Sequence, residues 1–180
     1  MRFGADGLAA GALYVPSPNC DLRPEGQDVT LLVVHSISLP PQRYGGTGIE
    51  RLFTNRLDPA EHPYYAQIAH LRVSAHLLLR RNGDPLQFVP IHMRAWHAGD
   101  SIWRGRRGCN DFSVGVELEG SDADGYTDAQ YARLVAVTRA LRRVLPLRDV
   151  AAHSDIAPLR KTDPGALFDW ARFLRALARR

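Results

Sequence analysis

At 180 residues and 20.0 kDa, with 45% hydrophobic and 23% charged residues, the chain is sized for one globular domain, residues 1–180, with a full core. The net charge of +4 comes from scattered arginines, with short runs at Arg104, Arg106 and Arg107, at Arg142 and Arg143, and at the C-terminus. A nucleic-acid binder would instead show one basic patch, so a solvated basic surface or a cleft for an acidic small substrate fits better. Cys20 and Cys109 alone make neither a disulfide framework nor a CxxC metal site. No apolar run approaches membrane-spanning length, and the N-terminal stretch, broken by Asp6 and three glycines, is a poor signal peptide; the expected location is the cytoplasm, with no membrane partner.

Residues 1–28 read as an irregular lead-in, rich in Pro, Asn, Asp and Gly from Pro16 to Gln27. Val29 to His35 is an apolar run suited to a buried strand. Ile49, Leu52 and Phe53 have helical spacing, and that helix ends before Asp58-Pro59. Val73 to Arg80 and Leu86 to Val89 flank Asn82-Gly83, a hairpin signal. Arg94 to Asn110 predicts a long surface loop, and Ser113 to Glu119 a strand that alternates Val114, Val116 and Leu118 against Gly115, Glu117 and Glu119. Thr127-Asp-Ala-Gln130 is a capping box opening a helix that stops near Pro146. Asp163-Pro164 is expected to start the last helix, through Phe168, Trp170, Phe173, Leu174 and Leu177. Strands interspersed with helices, plus one hairpin, predict an α/β (α+β mixed) fold: a central mixed sheet flanked by helices.

Three segments carry chemistry. The loop from His153 to Gly165 holds an imidazole, an ammonium and a carboxylate: His153, Lys161 and Asp163. Imidazole and carboxylate are zinc ligands, and an ammonium beside them stabilises developing negative charge. Lys161 is the one lysine among 23 Lys and Arg residues. His35 follows Leu-Leu-Val-Val, and Glu117 lies between Val116 and Leu118, where partial desolvation would raise its pKa and suit a general base or acid. Competing structural readings stand beside these. Asp163 before a proline is also a common helix N-cap, and Glu117 also fits a solvent-facing strand position. Of the other histidines, His62, His70 and His92 are plain. His76 on a strand face is open to a structural or a substrate-lining role. His97, between Trp96 and Gly99, suits substrate contact.

Six segments resemble, in the same order, the motifs of the AmpD amidases. They are Val33-Val-His-Ser-Ile-Ser-Leu-Pro-Pro, Leu71-Arg-Val-Ser-Ala-His, Arg94-Ala-Trp-His-Ala-Gly, Cys109-Asn-Asp-Phe-Ser-Val-Gly-Val-Glu-Leu-Glu-Gly, Tyr126-Thr-Asp-Ala-Gln-Tyr and His153-Ser-Asp-Ile-Ala-Pro-Leu-Arg-Lys-Thr-Asp-Pro-Gly. The resemblance runs from about Gly11 to Leu174. It implies the amidase-2, T7 lysozyme-like fold shared with peptidoglycan recognition proteins. It also implies one zinc per chain on His35, His153 and Asp163, with Glu117 as catalytic carboxylate and Lys161 as oxyanion partner. The implied reaction is hydrolysis of the amide between 1,6-anhydro-N-acetylmuramic acid and L-alanine in peptidoglycan recycling, by a monomer acting on a small anhydromuropeptide. Tyr64, Arg72 and Trp96 match cleft positions, and substrate discrimination is expected to rest on these and on the loop from Arg94 to Asn110, which carries His97. Ser36 departs from the family's usual Asn, and Gly108 from its usual Arg; Arg107, one residue upstream, is the expected stand-in for grip on a substrate carboxylate. Two other readings are kept: a non-catalytic peptidoglycan-binding module, against which the complete set of site residues speaks, and an amidase of intact murein, against which the poor signal peptide and the detailed motifs speak.

Overall fold

The structure is a computed structural model and describes residues 1–179. In chain order the strands are β1 (Leu13–Tyr14), β2 (Cys20–Leu22), β3 (Leu31–Ile37), β4 (Leu77–Leu79), β5 (Pro85–Gln87), β6 (Met93–Ala95), β7 (Ile102–Trp103), β8 (Arg106–Arg107), β9 (Ser113–Glu119) and β10 (Asp149–Ala152). The helices are α1 (Gly48–Phe53), α2 (Pro63–Ile68), α3 (Asp128–Arg142), α4 (His153–Ile156) and α5 (Trp170–Ala178). Six strands form one mixed sheet in the order β1-β5-β4-β9-β3-β10. Strands β4, β9, β3 and β10 run parallel, and β4 and β5 make the antiparallel hairpin that Asn82-Gly83 predicts.

Parallel strands covered on both faces need apolar residues on both, and β3 and β9 meet that demand. Leu32 and Val34 of β3 join Val114, Val116 and Leu118 of β9 under α3 and α5. Leu31 and Val33 face the other way, with Cys109, Phe112 and Ala151. The second face also carries a cluster built on Ile49, Leu52, Phe53 and Phe88, which seats α1. Because side chains alternate, His35 lies on the face of Leu31 and Val33, and Glu117 on the face opposite Val116. The alternation read from Ser113 to Glu119 is therefore present, but its polar side is not solvent-facing: all seven residues of β9 are buried.

The capping box at α3 is formed as the sequence predicts. Thr127 Oγ1 accepts from Gln130 N–H at 3.1 Å, and Gln130 Oε1 accepts from Thr127 N–H at 3.1 Å. Three expectations are corrected. The last helix begins at Trp170, not Asp163; its N-cap is Asp169, which accepts from Arg172 N–H at 2.7 Å. Residues 163–169 form turns that bring Phe168 under Tyr131 and Trp170. The stretch from Arg94 to Asn110 is not one loop, for Ile102–Trp103 and Arg106–Arg107 pair as a small hairpin. The lead-in is not wholly irregular either: β1 adds to the sheet beside β5, and β2 pairs with β6.

Candidate metal centre

Parallel strands deliver their C-terminal residues to one rim, the usual position of a site in an open α/β sheet. β10 pairs Ala152 with Val34, so His153, one residue on, arrives beside His35. β9 pairs Glu117 directly with His35. His153 opens the short α4, whose first turn is held by Asp155 Oδ2 accepting from Ala152 N–H at 2.8 Å. The chain then returns, and Ser154 N–H donates to the Asp163 carbonyl at 3.0 Å, which places the Asp163 carboxylate against both imidazoles. Tyr126 O–H donates to Pro164 O at 2.6 Å and pins the same loop from the sheet side.

The three side chains converge on one point. His35 Nδ1 lies 2.9 Å from His153 Nδ1 and 3.2 Å from Asp163 Oδ2, and His153 Nδ1 lies 3.0 Å from the same oxygen. Each residue offers one ligand atom, all within 4.8 Å of one another. A tetrahedral ion with bonds of about 2.0–2.1 Å has ligand edges of about 3.3 Å, so small outward shifts fit the trio to a divalent metal and leave a further position open. Burial drives the His35 pKa down to about 4 against the pull of Asp163, so its ring is neutral, the form that ligates.

Two carboxylates on β9 show what the site selects. Glu119, 2% exposed, is fully engaged: it accepts from Gly45 N–H, Arg80 and Arg81 N–H. Glu117, 8% exposed, has a buried Oε2 without a hydrogen-bond partner. Burial, then the nearby Asp163, pushes the Glu117 pKa well above the usual range, while the Lys161 ammonium pulls against them. Such a group can take a proton and give it back near neutral pH.

His35, Ser36, Tyr64, His97, Glu117, His153, Lys161 and Asp163 line one cleft of about 390 Å³. His97 stands behind His35, with its Nδ1 2.9 Å from His35 Nε2, on the side away from the convergence point. His76 is buried and engaged, its Nδ1 accepting from Gly115 N–H at 3.0 Å. Three predicted contact residues stand outside the cleft wall. Trp96 donates its indole N–H to Asp21 at 3.1 Å. Arg72 bonds its own backbone neighbourhood, the carbonyls of Ala69, His70 and Leu71. Arg107 is exposed on the β7–β8 hairpin, 4.0 Å from Asp100. Conversely, Leu39, Phe53, Ile68 and Leu71 form an apolar cleft wall that the sequence does not separate from core. A larger cavity of about 700 Å³ includes Tyr44, Glu50, Arg80 and Glu119 in its lining, but there Arg80 pairs with both glutamates, which leaves less free charge for chemistry.

Comparison with known proteins places this geometry. The family model described as N-acetylmuramoyl-L-alanine amidase matches residues 25–166. The chain is 59% identical over 169 residues, 93% of its length and 92% of the relative's, to the 1,6-anhydro-N-acetylmuramyl-L-alanine amidase AmpD of Escherichia coli (strain K12). A crystal structure of a selenomethionine derivative of AmpD superposes with a TM-score of 0.96 at 55% identity, covering 98% of this chain and 99% of that one. The amidase AmiD of E. coli, in complex with anhydro-N-acetylmuramic acid-L-Ala-D-γ-Glu-L-Lys, aligns with a TM-score of 0.59 at 28% identity, covering 94% of this chain and 60% of that one. With a mixed sheet that delivers two histidines, an aspartate and a buried glutamate to one rim, and with this match over most of its length, the chain belongs to the N-acetylmuramoyl-L-alanine amidase family.

Proposed function

We propose that this protein hydrolyses the amide joining the lactyl group of 1,6-anhydro-N-acetylmuramic acid to L-alanine in small muropeptides, with one zinc ion held by His35, His153 and Asp163. The observation that carries the reading is the unpartnered Glu117 carboxylate, buried beside three converging ligand atoms at the floor of an open cleft. The names of the similar AmpD and AmiD proteins supply the substrate class. When bound, zinc supplies a Lewis acid that lowers the pKa of a water to about 7 and polarises a carbonyl.

The chain's own groups do the rest. Glu117 accepts a proton from the attacking water as the water oxygen bonds to the carbonyl carbon. The carbon–nitrogen bond then breaks, and Glu117 returns the proton to the leaving alanine nitrogen. Its raised pKa lets it hold that proton between the two steps. The Lys161 ammonium offsets negative charge on the carbonyl oxygen, a contribution typically worth about 3 kcal/mol in the barrier. Tyr64, Ser36 and the apolar wall meet the sugar and the first peptide residues. All these groups come from one chain, so a monomer suffices. No helix among the described residues is long and apolar enough to cross a membrane. The recycling reading puts its action in the cytoplasm, where thiols such as Cys20 and Cys109 stay reduced.

The test is mass spectrometry of products from an anhydromuropeptide and from intact murein. The reading predicts free peptide beginning with L-alanine from the anhydro substrate, loss of the reaction with a chelator, and recovery with zinc. Failure of zinc-loaded protein to cut the anhydro substrate would overturn it.

A further inference from the structure

An imidazole ligates through one nitrogen only if its proton sits on the other, so something must hold that proton. The hydrogen bonds behind His35 determine where it is. Ser113 has one hydroxyl proton and donates it to Cys109 O at 2.5 Å. Its oxygen therefore accepts at its 3.1 Å contact with His97 Nε2, and the His97 proton sits on Nε2. With its one ring proton on Nε2, His97 turns a bare Nδ1 to His35 Nε2 at 2.9 Å. His35 must donate there, which leaves its own Nδ1 as a lone pair toward His153 and Asp163. His153 meets the same requirement one residue further along: its Nε2 lies 3.3 Å from Ala98 O, a carbonyl that can only accept.

Both acceptors belong to one dipeptide, and that dipeptide is clamped. Asn110 Oδ1 accepts from His97 N–H at 3.1 Å and from Ala98 N–H at 2.8 Å. Arg23 in turn holds Asn110 O at 2.9 Å. The strand beneath makes room for the ring: a Cβ on Gly115 would sit 2.5 Å from His97 Cγ. The His97 and His35 ring centroids are 5.0 Å apart, as two rings joined edge to edge through a 2.9 Å N–N contact must be, and the 85° twist between them leaves that bond unaffected.

We propose that His97 and Ala98, clamped by Asn110, are the shared positioning unit of the metal centre, fixing both His35 and His153 in the tautomer that presents Nδ1. His97 is thus a positioning residue behind the ligand, with Ser113 setting its direction. This rests on the assignment of His35 and His153 as metal ligands, and the experiment separates the two.

In metal-free protein labelled with ¹⁵N in histidine, two-bond proton–nitrogen correlations report each ring's tautomer, and zinc affinity is read by competition with a chromophoric chelator. The unaltered chain should show His35 and His153 both protonated on Nε2. His97→Phe keeps a ring but removes the acceptor; His35 should lose its single tautomer, and zinc affinity should fall about 10–100-fold. His97→Asn carries an acceptor oxygen the same number of bonds from Cα as Nδ1, and should restore the His35 tautomer and most of the affinity. A His35 protonated on Nδ1 in the unaltered chain, or zinc binding by His97→Phe equal to wild type, would overturn the proposal. If the unaltered chain bound no zinc, or His35→Ala bound it normally, the ligand assignment would fall and this role with it. The tautomer measurement on the unaltered chain stands even if a variant does not fold.

Discussion

Glu117 and Glu119, two residues apart on β9, differ in their partners. Glu119 is bound by two backbone N–H groups and Arg80, whereas Glu117 is buried with an oxygen that nothing satisfies. Glu117→Gln should lower turnover about 10²–10⁴-fold with zinc retained, measured by steady-state rates and metal analysis. It should also stabilise the metal-free protein. Because the folded pKa of Glu117 lies above its unfolded value, the wild type loses stability as pH rises from about 4.5 through the folded pKa, while the glutamine does not. The melting temperatures should therefore coincide near pH 4 and separate at pH 8, with the variant higher; equal melting at pH 8 would mean that the carboxylate is solvated. Lys161→Ala should reduce the rate constant with the Michaelis constant little changed, and Lys161→Arg should not restore it, because a planar fork does not fill the place of a compact ammonium. Full activity in Lys161→Arg would make the lysine a dispensable cation. Trp96 now has a different reading. With its indole N–H on Asp21 and its backbone N–H on the cleft residue Ser74, Trp96→Ala should slow hydrolysis of anhydro and ordinary muropeptides equally. A selective loss on the anhydro substrate would restore direct contact. His35 and Glu117 were legible because apolar strands carry them; Asp163 was not separable from an N-cap because both roles use the same Asp-Pro pattern.

At the level of elements, local rules read well where they close within a few residues. The Thr127–Gln130 box closes inside four residues and the Asn82-Gly83 hairpin over the five from Arg80 to Asp84, and both appear as predicted. The start of α5 was misplaced because Asp163 and Asp169 both satisfy a capping pattern, and only tertiary contacts, with His35 and His153, tell the first from the second. The two aspartates should separate in mutants. Asp169→Ala removes a cap worth about 1 kcal/mol, a shift of about 2–4 °C in melting, with zinc unchanged. Asp163→Ala should abolish zinc binding and leave α5 intact by circular dichroism. If Asp163→Ala shortened the helix and kept the metal, the capping reading would be the right one. The helix α2 went unread because it is only six residues long, too short to show a helical period, and its cap is unusual: the His62 ring accepts from Tyr64 N–H at 3.0 Å.

At the level of the whole molecule, the site exists because β10, β3 and β9 lie side by side in parallel register, bringing His153, His35 and Glu117 from across 119 positions of sequence to one rim (35 to 153, counted inclusively). Neither periodicity nor spacing encodes which strands pair, so the residues could be nominated one by one, but their meeting was given only by the family resemblance and then by the fold. An ion that binds only the folded chain adds to the free energy of unfolding, so with zinc held as proposed, chelation should lower the melting temperature and zinc should restore it. Zinc content per chain in purified wild type and His35→Ala tests the metal centre itself. About one zinc is expected in the former and near none in the latter. A His35→Ala protein that retained its zinc in full would contradict the assignment of His35 as a ligand.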